Sequence, residues 1–169
     1  MRHREKGFSL IELMIVVGII LVLVAIAVPN ILAARRAANE ACAVSAMRLI
    51  NTSAANYWTS YGNGFPPTLA AMGTAAAGDT VPTCDEALMM DEVLTTGTKS
   101  GYTFAYTVGT VNAIPVQGCA NPGGGTYTLV ATPQQVGGTG QRMFYTDQTG
   151  VIRYDVSGAG AGPNSQPME

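Results

Sequence analysis

A single histidine, His3, serves this 169-residue chain, and it stands within the first seven residues. Were that head removed, no imidazole would remain. That excludes Ser-His-Asp and Cys-His nucleophilic schemes and every histidine-ligated zinc site. Lysine- or carboxylate-based chemistry survives the exclusion, but the usual proton carrier of hydrolases is gone. Charge is also scarce, at 12% of residues, so a bilayer segment is compatible with the totals. Of nine basic and eleven acidic side chains, Arg2, Arg4 and Lys6 against Glu5 fall in Met1–Gly7, which leaves six against ten for the remainder. An acidic body lacks the clustered Lys and Arg that grip phosphates, so no specific nucleic-acid partner is expected. From Asn30 to Tyr61 the chain has neither glycine nor proline, and nothing in that stretch breaks a helix.

What the chain has in plenty is an apolar run, KGFSLIELMIVVGIILVLVAIAVP, from Lys6 to Pro29. Glu12 is anomalous there, because a carboxylate within a bilayer-length segment costs about 2.5–3.5 kcal/mol near its centre. A basic head and Ala25-Ile26-Ala27 fit a cleaved secretory signal. Against that reading, the run is longer than a usual signal core, Val28-Pro29 is a poor sequel to cleavage, and helical sequence continues beyond it. One helix over Phe8–Tyr61, interrupted only by a kink at Pro29, is therefore expected. Its second half carries an apolar stripe at Met47, Ile50, Ala54, Tyr57 and Tyr61, with the steps of one helix face. Arg35, Arg36, Asn39, Glu40, Arg48, Asn51 and Asn56 interleave with it. The aromatics of NYWTSY are read as core packing.

After the helix, residues 63–100 read as a turn-rich connector, with a helical turn near Thr68–Met72. A short helix is expected in CDEALMMDEVLTTG, opened by Asp85 and Glu86, closed by Gly97, and burying Leu88, Met89, Val93 and Leu94. Residues 101–156 change period. GYTFAYTV, TYTLVAT, RMFYTD and VIRYDV alternate as strands of an antiparallel meander with one covered face. TDQTG is a hairpin turn with Gly150 at positive φ. Residues 157–169 are low-complexity and read as a flexible tail. The fold class is α+β, with a long N-terminal helix covering a C-terminal antiparallel sheet.

Three cysteines in an exported chain suggest one disulfide and one leftover thiol. Cys84–Cys119 is favoured, because both lie in loop-like surroundings, with Cys42–Cys84 the alternative. Cys42, in an Ala-rich helix, suits a small buried hydrophobe. Asp147 with Thr149 and Gly150 reads as turn chemistry. Asp79, Asp85, Glu86, Asp91 and Glu92 lack the spacing of a calcium loop. No metal, cofactor or catalytic residue is expected. Arg35 and Arg36 suit subunit or lipid-headgroup contacts.

The stretch KGFSLIELMIVV resembles the start of the type IV pilin-like family, which includes the type II secretion pseudopilins. The matching features are a short basic leader ending in Gly7, then Phe8, Glu12 and an unbroken apolar helix with Pro29. The resemblance implies that a prepilin peptidase cuts between Gly7 and Phe8 and methylates the new amino group of Phe8. It implies that leader 1–7 is cytoplasmic, that 8–29 is first a transmembrane helix and then the filament core, and that 30–62 is its amphipathic continuation. It also implies a pilin-like fold, a helical homopolymer, an inner-membrane assembly platform and an ATPase motor. The body would be periplasmic and later part of a pilus or pseudopilus. Glu12 would pair with the Phe8 amino terminus of a neighbouring subunit, with Glu12 and Pro29 serving assembly. The sequence departs from many members in having Gly18 but no glycine over Ile19–Val28, which leaves Pro29 as the place where the helix loosens. The expected function is that of a structural filament subunit. Alternatives are a type II secretion pseudopilin, a membrane-anchored periplasmic binding domain and a secreted enzyme.

Overall fold

The computed structural model describes residues 8–74, 81–112 and 114–168. They form two compact units, one up to Arg35 and one from Arg36 onward. The principal helix, α1, is Leu10–Tyr61. In the first unit its Leu, Ile and Val side chains are exposed on every side. The helix runs through Pro29 as one element, as the single helix expected over this stretch requires. Proline removes the backbone donor that would reach the Ala25 carbonyl, and beside that gap the Asn30 side-chain amide donates to the next carbonyl, Ile26, at 3.1 Å.

In the second unit the helix becomes one-sided. Met47, Ile50, Ala54 and Tyr57 are fully buried and Tyr61 packs at the margin, as the spacing predicts. Beneath them lies a six-stranded antiparallel meander in sequence order: β1 Thr98–Lys99, β2 Tyr102–Val108, β3 Tyr127–Pro133, β4 Met143–Asp147, β5 Arg153–Asp155 and β6 Gln166–Pro167. Its register places Phe104, Ala131, Phe144, Tyr154 and Gln166 in one cross-strand row. Phe104, Ala131 and Phe144 in that row are buried, while Tyr154 and Gln166 emerge progressively. Alternation supplies the covered face in β2 and β3, whereas β4 buries Phe144, Tyr145 and Thr146 in succession. Gly150, at φ 75°, closes the β4–β5 turn, and Asp147 caps it by accepting from the Thr149 amide and hydroxyl at 2.9 and 2.6 Å.

Four local expectations are corrected. The second helix, α2, is only Glu92–Thr95, with Asp91 rather than Asp85 or Glu86 at its N-cap, accepting from the Leu94 amide at 3.1 Å. Leu94 is buried, but Val93 and Leu88 are exposed. Leu88 sits at φ 54° in a segment that hydrogen-bonds back to Met72 and Gly73, so it cannot be helical there. The tail is not wholly free, because Gln166–Pro167 pairs with β5. Cys42 is an exposed free thiol rather than a buried hydrophobe. Cys84 is bonded to Cys119, with Cα atoms 5.4 Å apart, so the Cys42–Cys84 alternative falls. Cys42 lies one position before the buried Ala43–Val44 pair, on an exposed part of the helix that faces Lys99 and Ser100 across an open hollow.

The connector and the long β2–β3 loop are knotted together at the end of α1. Asn63, fully buried, donates through Nδ2 to the Asn121 carbonyl at 3.0 Å and accepts the Val116 amide on Oδ1 at 3.3 Å. Its own carbonyl accepts from Asn112 Nδ2 at 2.8 Å. Gly123 passes so close that a side chain would run into the backbone oxygens of Asn63 and Phe65. Tyr57 donates to the Cys84 carbonyl at 2.7 Å, and the Asp85 carboxylate accepts from the Ala120 amide, on either side of the disulfide.

Candidate assembly site

The chemistry of the N-terminal stretch begins with how its helix starts. Ser9 precedes α1, and Glu12 is the third helical residue. The Ser9 backbone N–H donates to Glu12 Oε2 at 2.9 Å. This is the carboxylate half of a capping box, S-x-x-E, which satisfies a donor that the first helical turn leaves unpaired. The carboxylate also lies at the positive end of the helix dipole. The sequence reading gave Glu12 only a partner on a neighbouring subunit and missed this local role, although the four letters SLIE carry the signal. Among the described residues Glu12 Oε1 has no partner, so one acceptor stays available.

Phe8, four residues before Glu12, is 89% exposed. Gly7, the other side of the expected cleavage bond, lies outside the described residues, as does all of leader 1–7. From Leu10 to Leu32 the large apolar side chains contact no core. The helix that carries them is long and apolar enough, by length and composition, to cross a membrane. At about 1.5 Å per residue its apolar part, Leu10–Val28, reaches about 28 Å, against roughly 30 Å of bilayer hydrocarbon. A side chain added at Gly18 would meet nothing within 4 Å. Pro29 and the Asn30 amide end this apolar part, and Arg35 is exposed just beyond.

Away from the helix start, the candidate residues divide. Arg36 does not await a phosphate alone, because its Nη1 donates to the Gly137 carbonyl at 3.2 Å. Asp91 is held below the ordinary carboxylate range by its hydrogen bond from Lys99, 2.7 Å away. Asp79 lies outside the described residues. Among those described, no three His, Cys, Asp or Glu side chains converge as metal ligands.

Sequence reasoning placed Glu40 among solvent-side polar groups. It is instead buried, and its Oε1 accepts from the Gln141 and Arg142 amides at 2.8 and 3.2 Å while Oε2 accepts from Arg142 Nε at 2.7 Å. Burial alone would raise its pKa, but those amides and the guanidinium outweigh it and lower the value. Asn39 donates to the Thr139 carbonyl at 2.9 Å beside it. These contacts fix helix to sheet rather than forming a reaction centre. The signal was weak, since an i, i+3/i+4 stripe through Ala43 and Met47 extends back to residue 40 only if a glutamate is allowed inside.

The family described as the prokaryotic N-terminal methylation motif matches residues 2–28. The chain is also 60% identical over 38 residues to a protein of Thermus thermophilus, the type IV wide pilus major component PilA4. That similarity spans 22% of this chain and 29% of the relative, under a third of its length. No solved structure gives a significant match. The chain thus opens with a prokaryotic N-terminal methylation motif, is similar over 38 residues to a type IV pilus component, and carries that motif into a long helix whose second half covers an antiparallel sheet, a pilin-like α+β arrangement.

Proposed function

We propose that the chain is a prepilin that is cut between Gly7 and Phe8, methylated on the Phe8 amino group, and polymerised through α1 into a type IV pilus-like filament. The observation that carries this reading is the first unit of α1, a helix whose large apolar side chains are exposed on all sides. Such a helix needs lipid or other helices around it. As a monomer it rests in the inner membrane, with the basic leader cytoplasmic and the body periplasmic. In the fibre, copies of the same helix replace lipid. A prepilin peptidase with N-methyltransferase activity, an assembly platform and an ATPase motor are the implied partners.

Glu12 acquires two roles in this scheme. It caps its own helix, and its remaining oxygen receives the charged amino terminus of Phe8 from a neighbour, which neutralises two charges that neither lipid nor a helix bundle tolerates alone. Pro29 lets α1 loosen where one backbone bond is missing. The relative's printed role in a wide pilus favours a surface fibre over a secretion pseudopilus.

Mass spectrometry of the mature chain tests the processing step. A methylated Phe8 terminus is expected, whereas an intact Met1 or a Val28 terminus would sink the proposal. Two substitutions separate the roles of Glu12. Glu12→Gln keeps a capping side chain without charge, and Glu12→Val keeps neither. Both variants should be processed, and both should fail to enter fibres sheared from cells. If Glu12→Gln assembles like the parent, the cap alone matters and the pairing scheme is wrong.

A further inference from the structure

The cross-strand row that begins under α1 at Phe104 continues past the helix to Tyr154 and Gln166, where the sheet face is no longer covered. Arg142 stands at this boundary. Its Nε edge is held by the buried Glu40 carboxylate at 2.7 Å. Its guanidinium carbon lies 5.8 Å from the Phe144 ring centre and 5.7 Å from that of Tyr154. Gripped on one edge and flanked by two rings, the group loses the freedom that makes most surface arginines poor binders. Among the described residues, its Nη nitrogens, the Tyr154 hydroxyl and the Gln166 amide take no hydrogen bond. Arg142, Tyr154, Gln166, Pro167 and Met168 line a single open hollow of about 320 Å³.

We propose that this hollow binds a small carboxylated polyol, of the size and kind of a sugar acid. The outer edge of the guanidinium presents paired N–H groups that match a carboxylate in two-point geometry. Glu40 occupies the opposite edge, so it orients the fork without blocking it. Its charge offsets part of the attraction, which makes the interaction weak and selective for geometry rather than for charge alone. The Tyr154 hydroxyl and Gln166 amide supply donors and an acceptor for ring hydroxyls, and Met168 and Pro167 give an apolar floor. The volume is of the size of one monosaccharide unit. Nothing in this assignment depends on filament formation.

The test is a heteronuclear NMR titration of the full-length chain in detergent micelles with sodium glucuronate, and with glucose as the uncharged match. Saturable shifts centred on Arg142, Tyr154 and Gln166 are expected, with a Kd on the order of 1 mM, and glucose should give at least ten-fold weaker binding. Arg142→Lys keeps the charge but loses the fork and should weaken glucuronate binding at least five-fold. Gln166→Ala, at an exposed rim position, should weaken it about three-fold with unchanged Tm, which keeps the test decisive if Arg142→Lys unfolds. Equal binding of glucose, parental affinity in a folded Gln166→Ala, or no saturation at tens of millimolar would overturn the proposal. So would concentration-dependent self-association through this face in place of saturable glucuronate shifts, because the site would then take a carboxylate from a second copy.

Discussion

Glu40 spends its acceptor capacity on three donors from one turn of chain, Gln141–Arg142, at the only point where a charged group of α1 is buried. Glu40→Ala would leave two amides and a guanidinium without their shared acceptor. Breaking a buried pair in this way costs about 3 kcal/mol, and because Arg142 keeps some solvent the loss should not exceed that figure. Chemical denaturation at pH 7 measures it. The pH dependence has a definite sign. The carboxyl titrates lower in the folded chain than its ordinary value of 4.5, so its contribution is complete above that value and is lost as pH falls through the folded pKa. The stability gap between parent and Glu40→Gln should therefore be constant from pH 7 to about 5 and close below it. A gap that widens in acid would contradict the assignment.

Asn63 works in the same way without charge. Asn63→Ala strands the Val116 amide and the Asn121 carbonyl inside the protein, at about 1–3 kcal/mol for the unsatisfied groups. The expected signature is local: faster hydrogen exchange of Val116 and Asn112, with the β3–β4 amides unchanged. A uniform loss of protection throughout the sheet would show that Asn63 supports the core rather than the loop.

Elements differ in how plainly the sequence announced them. The four long strands followed from alternating aromatic and β-branched residues, and the buried face of α1 followed from steps of three and four. Both are periodic signals in which each residue repeats its neighbour's vote. The short helix was misplaced because CDEALMM has helical composition, yet its backbone amides are claimed by Ala71, Met72 and Gly73 across the connector. That is a tertiary decision which no local count contains. The edge strands β1 and β6 are two residues each, too short for a period. Glu40 and Asn63 were invisible for a related reason, since their partners lie far along the chain. At the N-terminus the legibility was higher, because motif and cap are contiguous.

The disulfide acts on an element, the β2–β3 loop, by tying Cys119 to the connector at Cys84 over 35 residues. Closing a loop of that length stabilises by about 4 kcal/mol in the chain-entropy account. Cys84 lies in the core and Cys119 packs against it, but neither belongs to a strand. Cys84→Ala with Cys119→Ala should lower the denaturation midpoint and sensitise residues 113–121 to proteases while preserving the far-ultraviolet spectrum. Loss of the β-sheet signal would mean that the loop organises the sheet.

At the scale of the molecule, the two units divide the physical tasks. The first has apolar surface and no core, and the second has a core and a covered sheet. A chain beginning at Asn30 should remain monomeric and folded without detergent, whereas the full chain should require it; gel filtration and circular dichroism decide this. Alkali probes the second unit as a whole. Burial raises the hydroxyl pKa of Tyr57, Tyr102 and Tyr106, and burial with the nearby Asp147 charge pushes Tyr127 up to about 12. Stability should hold up to about pH 10, the ordinary tyrosine value, and fall above it. These four phenols should ionise together with unfolding rather than before it.

The outermost strand bears on how such a molecule avoids sticking in the wrong way. Met168 donates inward to Ile152, so the alternating backbone pattern turns position 167 outward, where proline has no N–H to offer. A passing sheet that tried to extend β6 would find a gap in the ladder at its first step. A protein concentrated beside identical copies gains from such a blunted border. In the filament proposed above, sheet-to-sheet addition is discouraged at this edge, and the greasy helix is left as the route by which copies would join.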